Sequence, residues 1–281
     1  MNNFVKRAIT GAGIVIFCLG GFWLHPLSFF ISGIVILAGT QWEYYMLIKK
    51  SGALPQVIPG MLMSVSAYIL STLAAAGLLE IKYIATLAVF PLIAMIAELY
   101  NKNKKPFDSL AHTFFPVFYT GLPFYLFPFA AFSHTGLSSL LPYSGEAFSP
   151  GIIIGFFILI WANDTGAYLA GRIFGRHKLF ERISPRKTWE GFIGGLIFTV
   201  VASWLLSGWL GVVSGFYWAV IAVIVSTAGT YGDLVESMLK RSVGVKDSGN
   251  IMPGHGGFLD RFDSAIAAFP AIYLFILLFV H

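Results

Sequence analysis

The chain has 281 residues, of which 57% are hydrophobic and 11% are Asp, Glu, Lys or Arg, under half the roughly 25% charge of soluble domains. With a mean hydropathy of +0.78, this all but excludes a water-soluble globule and makes the class polytopic membrane protein. The one cysteine, Cys18, excludes an intrachain disulfide framework and a Cys-ligated zinc site.

Lys6 and Arg7 ahead of an apolar stretch from Ala8 to Leu24 have the look of a secretory signal. No small-x-small cleavage site follows, and Phe17 directly before Cys18 argues against lipoprotein processing, so the stretch is expected to persist as a first span. An apolar run of about 20 residues crosses a hydrocarbon core of about 30 Å. Nine such runs are predicted, at roughly 8–24, 26–48, 54–78, 81–99, 110–132, 150–172, 191–210, 213–231 and 264–280. The fifth carries Pro116, Pro123 and Pro128, which neighbouring helices can accommodate in a bilayer. Counts of eight or ten stay open. The expected fold class is all-α: a polytopic integral membrane helical bundle of about nine transmembrane helices, N-terminus cytoplasmic.

The basic residues test that count independently. With the N-terminus inside, 17 of the 18 Lys and Arg residues fall on cytoplasmic segments and Lys82 alone falls outside, as the positive-inside rule requires. The net charge of +5 therefore marks topology and gives no reason to expect a nucleic-acid partner. Lys49 and Lys50, and the group from Lys102 to Lys105, read as membrane anchors.

Residues 1–149 are expected to hold about five helices, and 150–281 a catalytic region with two longer cytoplasmic loops, 173–190 and 232–263. From Arg172 the first loop has six bases against two acids, and the second has four bases against five acids. A basic and a carboxylate-rich loop on one face suit a polyphosphate and its divalent metal. Solvated loops of mixed charge are the plainer alternative.

Acids within apolar runs need a reason, since each costs about 2.5–3.5 kcal/mol at bilayer depth on insertion scales. Asp164, in WANDTGAY, is placed with Asn163 in the cytoplasmic third of its span. Glu43 and Glu98 lie near cytoplasmic ends and are assigned structural roles. If helix continues past the eighth span, Asp233, Glu236, Ser237 and Lys240 share one face, while Asp260 and Asp263 are three apart at the start of the ninth. Carboxylates gathered from separate helices repel unless a cation binds between them. Hard oxygen ligands with no Cys or clustered His point to Mg²⁺.

Gly254-His255-Gly256-Gly257, ahead of a helix, is a plausible phosphate cradle or simply a helix-start turn. In Ser184-Pro185-Arg186-Lys187-Thr188-Trp189-Glu190-Gly191, Ser184 suits an N-cap and Pro185 the first helical position, which would put Arg186 and Lys187 on a first turn. A phosphate site and a basic anchor with Trp189 in the interface fit these residues equally. No P-loop, dinucleotide turn, nucleophile elbow or zinc-protease helix is present.

Taken together, Ser237-x-Leu239-Lys240-Arg241, Lys246-Asp247-Ser248-Gly249 and Pro253-x-His255-Gly256-Gly257-x-x-Asp260-Arg261-x-Asp263, spaced over 27 positions, resemble the signature of the phosphatidate cytidylyltransferases, or CDP-diacylglycerol synthases. Asn163 to Tyr168 and Ser184 to Gly191 resemble family segments in the same order, so the likeness covers about residues 150–281. It implies transfer of CMP from CTP to phosphatidic acid, with Mg²⁺ and room for a second cation. It also implies a homodimer in the (inner) cell membrane with its active site facing the cytoplasm. On that resemblance Asp233, Asp260, Asp164 and Asp263 are the expected metal ligands or their neighbours. Lys187, Lys246 and Asp247 are placed with Asp233, Asp260 and Asp164 in the catalytic group. Asn163, Ser184, Thr188, Lys240, Arg241, His255, Gly256, Gly257 and Arg261 join Lys187 and Lys246 as substrate-binding residues. A CTP-dependent lipid kinase and a secondary transporter are the rival readings. GxxxG spacings at Gly151/Gly155, Gly171/Gly175 and Gly211/Gly215 permit close packing within one chain or between two.

Overall fold

The computed structural model describes residues 3–132, 148–249, 251–252 and 256–280. These fold into α1 (Asn3–Trp23), α2 (Pro26–Lys49), α3 (Val57–Ala75), α4 (Val89–Tyr100), α5 (Pro106–Tyr119), α6 (Leu122–Ala131), α7 (Gly151–Phe174), α8 (Trp189–Leu210), α9 (Gly215–Ser242) and α10 (Leu259–Phe279). A 3₁₀ stretch, Ile81–Ala88, leads into α4, and the only sheet among the described residues is a hairpin of β1 (Lys178–Phe180) and β2 (Ser184–Thr188).

The fold is thus all-α, and among the described residues seven segments are long and apolar enough to cross a membrane: Val57–Ala75, Ile81–Tyr100, Pro106–Ala131, Gly151–Phe174, Trp189–Leu210, Gly215–Ser242 and Leu259–Phe279. Nine were predicted. The first two predicted spans do form helices, but Thr10–Trp23 is a shorter apolar helix, and the run Gln41-Trp42-Glu43-Tyr44-Tyr45 dilutes the hydropathy of α2. The predicted fifth span is two helices, broken at Thr120 and Gly121.

The chain divides into two compact units, Met1–Pro128 with Ser242–Phe262, and Phe129–Arg241 with Asp263–His281. In the first, a capping box starts α2: Leu27 N donates to His25 Nδ1 (3.1 Å) and His25 N to Ser28 Oγ (3.1 Å), satisfying amides that a helix start leaves open. The core holds Phe22, Phe29, Tyr44, Tyr45 and Tyr68. Gly60 leaves the space into which the Tyr45 hydroxyl reaches, donating to Thr113 O (2.8 Å). Glu98, buried in α4, accepts from Gln56 Nε2, Asn101 Nδ2 (2.9 Å) and Asn103 Nδ2 (2.7 Å), which meets the demand of a buried carboxylate for donors. Its expected structural role is what this geometry provides.

In the second unit α7 and α8 pack backbone against backbone. A Cβ on Gly166 would lie 2.9 Å from Gly194 O, and one on Gly195 would lie 2.7 Å from Asn163 Oδ1. Gly155 admits the buried Trp218 ring of α9, so the Gly151/Gly155 spacing serves packing within the chain.

Two local expectations are corrected. Ser184 and Pro185 do not start a helix: they begin β2, with Phe180 paired to Ser184 and Lys178 to Thr188. A two-stranded hairpin leaves β2 with a free edge, where proline costs no ladder hydrogen bond. The N-cap is Thr188, whose Oγ1 accepts from Gly191 N (3.1 Å). The second loop is also shorter than 232–263, because α9 runs on to Ser242 and carries Asp233, Glu236, Ser237 and Lys240 as helical residues.

Candidate active site

Three carboxylates of the second unit converge. Asp233 and Glu236, one turn apart on α9, and Asp263 on α10 present oxygens that all lie within 4.8 Å of one another. Gly232 permits this approach, since a Cβ there would sit 2.7 Å from Asp263 O and 2.8 Å from Ala267 Cβ. The charges of Asp233, Glu236 and Asp164 all bear on Asp263, while Asp263 Oδ1 accepts from Ser264 N (2.6 Å).

Two lysines offset part of this charge. Lys187 Nζ is 2.7 Å from Asp233 Oδ2 and also donates to Thr230 O (3.4 Å), and Ser237 Oγ donates to Asp233 Oδ1 (3.2 Å). Lys240 Nζ is 2.6 Å from Glu236 Oε2, with 11% and 0% of the two side chains exposed. Asp233, Glu236 and Asp263 offer oxygen as their only ligand type. That donor set fits a hard divalent ion such as Mg²⁺, and Asp233, Glu236 and Asp263 are the residues that would hold it.

A cavity of about 460 Å³ opens beside the cluster, lined by Asn163, Asp164, Lys187, Thr188, Asp233 and Ser264 among others, with Arg172 and Arg186 at its wall. Asn163 is buried and its Oδ1 accepts from Thr199 Oγ1 (3.4 Å). The hairpin that carries Lys187 is tied down at its base: Glu190 accepts from Arg176 N (3.1 Å) and lies 2.6 Å from His177 Nδ1. Basic and acidic walls at one cavity are what a metal-bound polyphosphate requires.

The structure therefore brings together Asn163, Asp164, Lys187, Thr188, Asp233 and Asp263 from the predicted set. Lys240 is committed to Glu236. Ser184 is not on the cavity wall but pairs with Phe180 in the hairpin, and Arg241 is exposed at the end of α9. Glu236 was not assigned as a ligand, although its i, i+3 spacing from Asp233 was the signal that could have found it.

The remaining predicted residues belong to the first unit. Asp260, on the first turn of α10, accepts at Oδ2 from Gly257 N (2.8 Å), Ser248 N (3.0 Å) and Ser248 Oγ (3.0 Å). Gly256 has φ +79, a conformation that favours glycine. Lys246, Asp247 and Arg261 are exposed. His255 lies outside the described residues.

Comparison with known proteins agrees with this chemistry. The sequence model of the cytidylyltransferase family matches residues 5–279. A protein of Staphylococcus haemolyticus (strain JCSC1435) named phosphatidate cytidylyltransferase is 36% identical over 229 residues, covering 75% of this chain and 88% of that protein. Proteins of the same name from Staphylococcus saprophyticus and Staphylococcus aureus (strain COL) are 34% identical, over 78% of this chain and 91% and 80% of theirs. A match that runs nearly end to end, on a chain in which Asp164, Asp233 and Lys187 line one cavity, makes this chain a member of the cytidylyltransferase family.

Proposed function

We propose that this protein transfers CMP from CTP to phosphatidic acid, giving CDP-diacylglycerol and pyrophosphate for phospholipid biosynthesis. The observation that carries the reading is the Asp233, Glu236 and Asp263 cluster beside Lys187, in a helical chain of this family. The catalytic region is 150–281, the site faces the cytoplasm from the cell membrane, and the working form is a homodimer.

A phosphate monoester has a second pKa of about 6, so the lipid phosphate reaches the site largely as a dianion. No general base is needed. One of its oxygens bonds to the α-phosphorus of CTP, the bond from that phosphorus to the bridging oxygen breaks, and pyrophosphate leaves with the electron pair. No covalent enzyme intermediate forms. The protein's part is to align attacking and leaving oxygens and to oppose the charge they carry. When bound, Mg²⁺ supplies charge neutralisation at the phosphates. Lys187 is the mobile cation of the site, since the Asp233 carboxylate that holds it at 2.7 Å is also a ligand, and its ammonium can turn to a phosphate instead. Asn163, Thr188 and Asp164 shape the wall on which the nucleotide is held, and Lys240 keeps Glu236 in place. For Asp260, Lys246, Asp247, Arg241, Arg261, Gly256, Gly257 and His255, roles as substrate or metal contacts are supported by the resemblance of their motifs to the family signature.

Purified protein given labelled CTP and phosphatidic acid should transfer label to lipid with release of pyrophosphate, and only with Mg²⁺. Release of CDP would favour a lipid kinase, and no transfer of label under any condition would remove the proposal.

A further inference from the structure

Glu43 lies on α2 with 2% of its surface exposed, and its carboxylate reaches the far end of the chain. Oε2 accepts from Ser248 Oγ (2.9 Å) and from Leu259 N (2.9 Å), the first amide of α10. Oε1 has no hydrogen-bond partner among the described residues. The space it occupies is made by glycines of the signature: a Cβ on Gly249 would lie 2.6 Å from Oε1, and one on Gly257 would overlap Oε2. The lack of a side chain at these two positions is thus used to admit a carboxylate from another helix.

Ser248 joins Glu43 to Asp260. Its hydroxyl is 2.9 Å from Glu43 Oε2 and 3.0 Å from Asp260 Oδ2, while its amide donates to the same Asp260 carboxylate. One hydroxyl proton serves two carboxylates, and the backbone amides of Ser248 and Gly257 also donate to Asp260. With Leu259 N also fixed, Glu43 determines where the turn at residues 246–249 meets the start of α10. That junction carries Lys246, Asp247, Asp260 and Arg261.

We propose that Glu43 is a positioning residue for the transfer reaction, setting the direction of the Asp260 carboxylate through Ser248. This rests on the reading of Asp260 as a metal contact. Burial alone would make Glu43 structural. What separates the two roles is that its partners are residues of the signature rather than packing neighbours of α2.

The test compares Glu43→Ala, Glu43→Gln and Ser248→Ala in the full-length protein in detergent, with two readouts. In steady-state assays, Glu43→Ala is expected to lower kcat about 100-fold and to raise the Mg²⁺ concentration for half-maximal rate several-fold, with the KM for CTP changing far less. Glu43→Gln keeps an acceptor oxygen for both donors and should recover at least ten-fold of that loss. In Mn²⁺ titrations followed by electron paramagnetic resonance, Glu43→Ala and Ser248→Ala should weaken binding alike, and the double variant should be no weaker than either single one. If Glu43→Ala does not fold, Glu43→Gln and Ser248→Ala decide the matter by the same titration. Native Mg²⁺ dependence and Mn²⁺ binding in the folded variants, or additive effects in the double variant, overturn the role of Glu43. Absence of transfer by the unmodified protein overturns the proposed function instead.

Discussion

Adding a methyl group at Gly232 should disable the carboxylate cluster. The Cβ of Gly232→Ala would lie 2.8 Å from Ala267 Cβ and 2.7 Å from Asp263 O, whereas carbons in contact settle at about 3.5 Å. α9 and α10 must then separate by about 0.7 Å at the level of Asp233 and Asp263. Overpacking of this kind costs about 1–3 kcal/mol of stability, and a misplacement approaching 1 Å costs on the order of 100-fold in rate. Gly229, one turn earlier, provides the control: its Cβ would meet Ser264 Cβ at 3.5 Å, an ordinary contact. Transfer of label from CTP to lipid should therefore fall about 100-fold in Gly232→Ala and stay within a few-fold of native in Gly229→Ala. Equal turnover by the two variants would refute the claim that the close helix crossing builds the site.

Three other substitutions probe its remaining parts. Lys187→Met removes the cation 2.7 Å from Asp233 and should lower kcat for CTP by about 100-fold, while thermal unfolding in detergent moves little because both side chains are partly exposed. Glu236→Gln replaces one charged oxygen ligand of the cluster and should weaken Mn²⁺ binding, read by electron paramagnetic resonance. Thr188→Ala deletes the N-cap of α8 at a cost of about 1 kcal/mol, and Thr188→Ser, which retains an acceptor oxygen, should melt close to native.

The helical architecture was legible because long apolar runs have few other structures available to them, and α7 to α10 lie close to their predicted positions. What the runs could not show is that Gln41, Glu43, Tyr44 and Tyr45 would be buried inside protein. The hairpin was hidden for a different reason. Ser184-Pro185 satisfies the local chemistry of a helix start, and only the pairing of Phe180 with Ser184, a contact between neighbouring short segments, directs the backbone into a strand. Asp233 and Glu236 on one face could be read from spacing, but their meeting with Asp263 depends on Gly232 facing Ala267, which belongs to the crossing of two helices and leaves no periodic trace. Glu43 and Ser248 stand 205 positions apart, and nothing local to either announces the other.

That distance has a bearing on how the protein is made. Ribosomes deliver α2 long before residues 248–259 exist, so the Glu43 carboxylate must wait in an apolar helix, at a cost of about 2.5–3.5 kcal/mol if it lies at bilayer depth, until the end of the chain brings Ser248 Oγ and Leu259 N to it. A nascent chain halted before Ser248 would leave the Glu43 carboxylate without these two donors. The same two hydrogen bonds that organise the finished turn would then also distinguish completed molecules from fragments.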